Sequence, residues 1–509
     1  MPDYQFAYAR HPDQDRPAHH PVVVVGAGPV GLTLAIALAQ RGQNVVLLDD
    51  SDRIGEGSRA ICFSKRTLEA WDRLGCAAPM LEKGIVWQRG RVFLGTDEVY
   101  SFDLLPEGGH KMPAFINLQQ YYAEAALAAR ARALGIDLRW RNRVTAVAQQ
   151  PDQIRVTIAT PDGPYTLTAA YLAACDGARS PIRAMLGADF TGETFADQFL
   201  IDDVKMQASF PTERWFWFDP PFHAGQSALL HKQPDDVWRI DLQLGRDADP
   251  ELERQPARVR PRIARMLGHD DFTFEWISLY RFQCRRMASF VHGRILFAGD
   301  AAHQVSPFGA RGANSGIEDA ENLAWKLDLM LRGRAGDLLA SYDTERIQAA
   351  DDNIAHSTHS TDFIAPRTEY ESRLRGVTLR LARTHDFARR MVNAGRLSRP
   401  TAYATPLSTP DAEPWSAGPP PGSHLIDAPL TQGFLTETIA GFTLLHRGPV
   451  PCPAGIQTVD SGDGICATRY DLAPGDAYLL RPDGYVAARF RAVTEPRIAA
   501  ALSRAQAQP

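Results

Sequence analysis

The sequence predicts an α/β chain: a mostly parallel sheet wrapped by helices, an antiparallel (α+β) domain inserted into it, and a further small domain at the end. Three segments predict it. In VVVVGAGPVGLTLAIALAQRGQNVVLLDD at 22–50, an apolar run, a glycine loop and a helical stretch follow one another. An apolar strand ends in Asp176-Gly177 within YLAACDGARSPIR at 171–183, and another ends in Gly299-Asp300 within RILFAGDAAHQVSPFGARGANSGIEDAENLAWKL at 294–327. A chain of 509 residues, 44% hydrophobic, has room for two or three domains with separate cores.

Residues 1–20 are polar, charged and proline-containing, without the apolar stretch of a signal peptide, so they read as an arm. Residues 22–25 are four valines, as a strand buried on both faces requires. Gly26, Gly28 and Gly31 then supply a tight turn, a close approach to a pyrophosphate and a close helix–strand contact, in that order. A helix over 32–41 closes at Gly42, and the strand 45–48 ends in Asp49, at the spacing where an acid takes the ribose hydroxyls of an adenosine. The segment 21–39 is apolar enough to suggest a membrane span, but Gly26, Gly28, Pro29 and Gly31 within it favour strand, turn and helix. This part is Rossmann-like.

In the last motif a strand over 294–298 leads to Asp300, and Gly309, Gly312 and Gly316 allow backbone to approach a ligand before a helix begins. The free amides of that helix start, around Ala313–Gly316, suit the negative pyrimidine edge of a reduced flavin, and Asp300 suits the hydroxyls of a ribityl chain. Asp300 as a plain N-cap with a glycine loop is the alternative from this segment alone.

Together the GxGxxG, Asp176-Gly177 and Gly299-Asp300 segments resemble the three motifs of the class A flavoprotein monooxygenases, the aromatic hydroxylases related to para-hydroxybenzoate hydroxylase. The resemblance runs from about residue 21 to about residue 400. LLRPDGYVAARF at 479–490 looks like the end of the thioredoxin-like C-terminal domain of the phenol hydroxylase and 3-(3-hydroxyphenyl)propionate hydroxylase branch. The resemblance implies FAD held by Gly26, Gly28, Gly31 and Asp49, with Arg59 along the phosphates and Gln120 beside the ribityl chain; Gln119 is the neighbouring alternative. It further implies Asp176, Gly299, Asp300, Gly312, Ala313 and Asn314 as cofactor contacts, and Pro307 over the flavin face. No metal is implied.

Two positions depart from the family pattern. Asp49-Asp50 replaces the usual Glu followed by Arg or Lys, so a basic partner for the 2′-phosphate of NADPH is missing and the lean is to NADH. Ala310-Arg311 replaces a frequent Gly-Gln; Arg311 either meets a substrate carboxylate or phenolate, or pairs with Glu318 or Asp319.

The motif order implies an FAD-binding domain over 21–185, with a short sheet insertion at about 81–111, and a substrate domain over 186–279. The last part of the FAD domain and helices follow over 280–400, with 345–398 helical, then a Pro/Ser/Thr/Ala-rich linker at 401–424 and a thioredoxin-like domain over 425–509. That last domain has no redox CxxC, so a structural or homodimer-contact role is implied. Alternation in ERWFWFDPPF at 213–222 puts Trp215 and Trp217 on one face and Phe216 and Phe218 on the other, either pair being able to line an aromatic pocket. His231 and Arg239, on neighbouring strands, are candidate polar anchors; His303 reads as packing under the helix start.

A formal charge of −5 with scattered basic residues gives no nucleic-acid footprint. Six cysteines without metal spacing fit a reducing cytoplasm, and no membrane partner is expected. The implied reaction is NAD(P)H- and O2-dependent hydroxylation of a small phenolic substrate through a flavin C4a-hydroperoxide, with a 3-hydroxyphenyl carboxylic acid as first choice, as in catabolism of aromatic compounds. The alternatives are an FAD oxidoreductase without oxygen transfer and a non-catalytic flavin-binding protein; no WxWxIP segment marks a halogenase.

Overall fold

Four valine-rich or apolar strands set the frame. In the computed structural model, which describes residues 4–55, 57, 59–393 and 398–508, strand β1 (His19–Val25) leads to helix α1 (Pro29–Gln40) and β2 (Val45–Leu48). Val22, Val23 and Val24 are fully buried because β1 lies between parallel neighbours and under helices. β3 (Gly163–Ala174) pairs parallel with β1 on its other side, and a later strand over Ile295–Phe297 pairs parallel with β3. The register brings Val25 level with Leu48 and with Ala174, and Ala174 level with Phe297. Gly26, Asp49, Asp176 and Gly299-Asp300 therefore emerge at one edge of one sheet, the edge where open α/β sheets bind ligands.

The second sheet has eight strands and is antiparallel except at one place. Its centre is β4 (Thr191–Lys205), β5 (Arg214–Phe218), β6 (Ser227–Lys232), β7 (Val237–Leu244) and β8 (Thr273–Arg286), in spatial order β8-β4-β7-β6-β5. The strands Arg89–Leu94 and Asp97–Asp103, expected as a separate insertion, extend this sheet beyond β5, the first of them in parallel. β8 runs across the expected boundary at 279/280.

Two helices complete the ligand edge: α2 (Gly312–Leu331) and α3 (Leu339–Ile364). The stretch expected to be helical from 345 breaks into α3, Glu369–Ala382 and Asp386–Asn393, with Pro366 after the first break; residues 394–397 lie outside the described residues. Residues 401–424 have no helix or strand, yet Tyr403 and Leu407 are buried, so this segment is packed down and not a free tether. The last sheet is mixed: Thr443–His446 pairs parallel with Gln457–Asp460 and antiparallel with Ala477–Leu480, which pairs with Val486–Phe490, and the helix Glu495–Ala505 closes the C-terminal module. Among the described residues no helix is long and apolar enough to cross a membrane.

Candidate functional site

The glycines of the first loop are explained by contact. A Cβ at Gly26, whose φ is +104°, would lie 2.3 Å from the Cys175 carbonyl oxygen, and one at Gly31 would lie 1.9 Å from the Gly26 oxygen. Gly28 differs: nothing lies within 4 Å of its Cβ direction, and it begins α1 without a side-chain cap. The first-turn amides of α1 have no side-chain cap, and such amides are the donors that suit a phosphate. Asp49 accepts from Ala27 N at 2.6 Å and from Ser51 N at 2.8 Å; each carboxylate oxygen keeps a lone pair for a ribose hydroxyl. Burial raises its pKa to about 6, with those two N–H donors opposing.

Gln120 opens the helix Gln120–Ala133; its oxygen takes Ala60 N at 3.2 Å and its amide donates to Glu124 Oε1 at 2.7 Å. Glu124 in turn holds Gly55 N at 2.8 Å. Gln119 and Gln120 both line a recess of about 340 Å³ together with Arg59, Asp203 and Trp276, so the structure brings both glutamines to the same place. Asp176 is half-buried, with one oxygen held by Ile182 N at 3.0 Å and the other without a partner among the described residues; burial raises its pKa. An acceptor held unpaired in this crevice fits a hydroxyl or amide of a bound nucleotide. Asp300 is exposed at the strand end.

The loop before α2 separates ligand-facing positions from structural ones. Gly309 has φ +101° and Ala310, a non-glycine, has φ +54°; Pro307 is exposed between them and the strand. α2 starts at Gly312 without a side-chain cap, leaving the amides of Gly312, Ala313 and Asn314 available to a ligand. The Asn314 side chain is not: it accepts from Ser64 N at 3.0 Å and Thr67 Oγ1 at 2.7 Å and donates to the Cys62 and Ala310 carbonyls. Gly316 packs helix on helix, since a Cβ there would meet Val30 Cγ2 at 2.7 Å. Arg311 is buried and donates to Asn353 Oδ1 at 2.7 Å, so it turns into α3; burial lowers its pKa to about 10, against the pull of Glu318. Asp319, its other expected partner, is bonded by Gly299 N, His303 and Arg346. His303 stacks on Phe290, as its packing role required.

Register across the second sheet builds the opposing wall. β5, β6, β7, β4 and β8 align Arg239 with His231 and Asp203, Asp203 with Trp276, and Phe216 with Leu229, Asp241 and Ile201. Phe216 and Phe218 pack on the inner side in a cluster with Phe199, Phe282 and Phe308. Trp215 and Trp217 pack on Phe93 in a second hydrophobic cluster on the other face, and of the phenylalanine pair Phe216 lines a cleft. The cleft lies between Arg91, Val92, Phe102, Arg214 and Phe216 on this wall and Phe308, Gly309 and Ile364 opposite; Arg91 is paired with Glu213 and Glu98.

Arg239 is a brace: it donates to Asp203 Oδ1 at 3.2 Å and to the Arg59 carbonyl at 3.0 Å, tying the sheet to the backbone at Arg59. His231 is buried, edge-on to Trp87 at 6.3 Å, with Nδ1 unpaired among the described residues; burial, Arg214 and Arg239 push its pKa well down. Two residues went unnoticed in the sequence. Arg214 borders the cleft and makes no hydrogen bond or ion pair with the described residues; burial lowers its pKa, against Cys62 and Asp241. Asp241 has an unpaired buried oxygen, and burial raises its pKa to about 6 against Arg239 and Arg214. The signal was present: Arg214 shares the parity of Phe216 and Phe218, and Asp241 that of Arg239.

A family described as FAD binding domain matches residues 19–357. A flavin-dependent monooxygenase of Mycobacteroides abscessus is 30% identical across 91% of this chain and 96% of its own. A probable NADH-specific resorcinol 4-hydroxylase of Rhodococcus jostii is 33% identical over 67% of this chain, which spans 64% of that protein. An anhydrotetracycline monooxygenase of Streptomyces rimosus is 28% identical over 91% of this chain and 94% of its own. Among solved structures, the flavin-dependent monooxygenase PieE in complex with FAD and substrate superposes with a TM-score of 0.81, covering 96% of this chain and 99% of that one at 23% identity, a likeness of fold.

Proposed function

Since the chain belongs to the FAD-binding-domain family and is an FAD-dependent aromatic monooxygenase of class A, we propose that it hydroxylates a phenol bearing an anionic group, first a 3-hydroxyphenyl carboxylic acid, using NADH and O2. Arg214 carries this reading: a guanidinium in a phenylalanine-lined cleft beside Gly309, without a hydrogen bond or ion pair to the described residues. Asp241 offsets part of the burial cost of Arg214 without a hydrogen bond to it, and guanidinium matches carboxylate with two parallel hydrogen bonds. The substrate supplies that anion.

The cofactor residues would be Gly26, Gly28, Gly31 and Asp49 at the adenosine and pyrophosphate, with Arg59, Gln120 and Asp176 beyond, and Gly299, Asp300 and the amides of Gly312, Ala313 and Asn314 around the ribityl and ring end. Open space at Gly28 and the uncapped starts of α1 and α2 fit such a group. Bound FAD supplies hydride acceptance from the nicotinamide and reductive activation of O2. The protein's residues do the rest. Phe216, Phe102 and Phe308 keep water from the ring; Arg214 fixes the substituent; Gly309 and Ile364 form the opposite wall. Asp241, level with Phe216 and Leu229 across the sheet, takes the phenolic proton. Arg311, bonded to Asn353, supports the loop.

Asp49-Asp50 lies where the FAD ribose would be held, so it bears on a 2′-phosphate only if the nicotinamide cofactor shares that pocket. NADH preference is supported by the name of the resorcinol hydroxylase relative. A second reading, a polycyclic phenol, is favoured by the end-to-end match to the anhydrotetracycline monooxygenase. Binding of 3-hydroxyphenylpropionate, its amide, resorcinol and anhydrotetracycline to the holoenzyme, followed by flavin absorbance, separates the readings. Tightest binding of the acid supports ours; equal binding of acid and amide refutes it.

A further inference from the structure

We propose that the C-terminal module sets the position of the flavin-side loop, acting through Tyr403 and Arg346 as positioning residues. Arg346, on α3, is fully buried. Its guanidinium donates to Asp319 Oδ1 at 2.5 Å, to the Ser315 carbonyl at 3.0 Å and hydroxyl at 3.1 Å, and to Tyr403 Oη at 2.5 Å. The other Asp319 oxygen accepts from Gly299 N at 2.8 Å and His303 Nε2 at 2.7 Å. One cation therefore joins the strand end carrying Gly299-Asp300, the first turn of α2, and a tyrosine of the 401–424 segment. Tyr403 stacks on Tyr485 of the module, with centroids 4.3 Å apart and planes within 18°.

A second tie starts one residue earlier. Glu345 accepts from Arg481 at 2.7 and 2.9 Å, Lys326 at 2.8 Å, Asn322 at 2.8 Å and Thr405 at 2.7 Å, and Arg481 also grips Asp483 at 2.6 Å. Glu345, Arg481 and Lys326 are at most 1% exposed. The RPDGY run of the module thus ends on the residue adjacent to Arg346, and the two ties grip α2 at both its first and its middle turns. Buried charges with partners on several sides fix one arrangement, since displacing any member strands the others without solvent. The elements so fixed, Gly299-Asp300 and the start of α2, are those that would hold the ribityl chain and face the flavin ring. The inference requires FAD binding and is independent of which phenol is oxidised.

The test uses the full-length holoprotein and Tyr403→Phe, which keeps the ring on Tyr485 and removes only the hydroxyl. Arg447→Gln, in an exposed ion pair of the same module with Asp463, is the control. We expect Tyr403→Phe to weaken FAD binding about tenfold, read by flavin fluorescence on dilution, and to change the visible circular dichroism of the bound flavin, while far-ultraviolet spectra match wild type and Arg447→Gln changes neither. Wild-type FAD affinity and flavin spectrum in folded Tyr403→Phe overturn the proposal, whatever its melting temperature. Should Tyr403→Phe not fold, Thr405→Val, which removes one bond to Glu345, decides by the same readouts: a severalfold loss supports the coupling and none overturns it.

Discussion

Replacing Arg214 by Met keeps much of the side-chain volume and removes the charge. A carboxylate about 4 Å from the guanidinium at an effective dielectric near 20 gains about 4 kcal/mol. Desolvation of the acid takes back part of this, and truncations of buried charge pairs typically cost about 2–5 kcal/mol. A net loss of about 3 kcal/mol is on the order of a hundredfold in affinity, at about 1.4 kcal/mol per tenfold. The expected outcome is a KM for 3-hydroxyphenylpropionate raised about a hundredfold, with kcat within a few-fold, because the pairing is equal before and during oxygen transfer. The amide of the same acid should lose little on the same substitution. Steady-state NADH oxidation coupled to chromatography of the hydroxylated product measures both. A loss below threefold for the acid, or equal losses for acid and amide, refutes the role given to Arg214.

Three further outcomes follow from the same geometry. Gly28→Ala should leave the apoprotein's melting temperature nearly unchanged, because its φ of −76° suits alanine and its Cβ meets nothing within 4 Å, yet cut FAD affinity at least tenfold in titrations of the apoprotein; unchanged affinity would mean that the phosphate does not pass there. Asp241, raised to about 6 by burial, must be ionised to take a proton, so kcat/KM should fall as pH drops below about 6. Asp241→Asn should lower kcat/KM by about a hundredfold and abolish that limb; a limb that persists in the variant assigns it elsewhere. Asp202 is fully buried with neither oxygen bonded among the described residues, and burial pushes its pKa well up. The folded state therefore keeps a proton that the unfolded chain releases above about pH 4, and stability falls as pH rises from there toward the folded value. Asp202→Asn removes that slope, about 1.4 kcal/mol per pH unit, and should gain stability over wild type between pH 5 and pH 7 in urea melts; an identical pH slope in both proteins would contradict this.

The parts of the site legible in the sequence are those imposed locally on the backbone. Gly26 and Gly31 had to be glycine because a Cβ would strike a carbonyl oxygen, and acids at the ends of parallel strands converge by topology alone. What depends on distant pairing was hidden. Arg89–Leu94 joins the second sheet by pairing with β5 more than a hundred residues on, which no local periodicity encodes. Arg214 carried the parity of the inner face, but which face was inner depended on register with β6 and β7. Arg311 allowed two readings, a cation for the ligand or a salt bridge within the loop, and its bond to Asn353 on α3 belongs to neither pattern. Asn314 looked like a ligand contact for the same reason that it is conspicuous, its place at a helix start, yet its side chain is consumed by four bonds to the 62–67 and 310 backbone and Thr67. The Arg346 and Glu345 ties join residues up to 136 apart and leave no pattern in a single segment.

The most direct test of the central claim is anaerobic stopped-flow reduction of the bound flavin by NADH, with and without 3-hydroxyphenylpropionate, followed by mixing with ¹⁸O2 and mass analysis of the aromatic product. The account predicts faster reduction in the presence of the acid, and one ¹⁸O atom in a newly hydroxylated ring for each NADH consumed. Reduction indifferent to the acid, with the label recovered as peroxide and the ring unchanged, would contradict it.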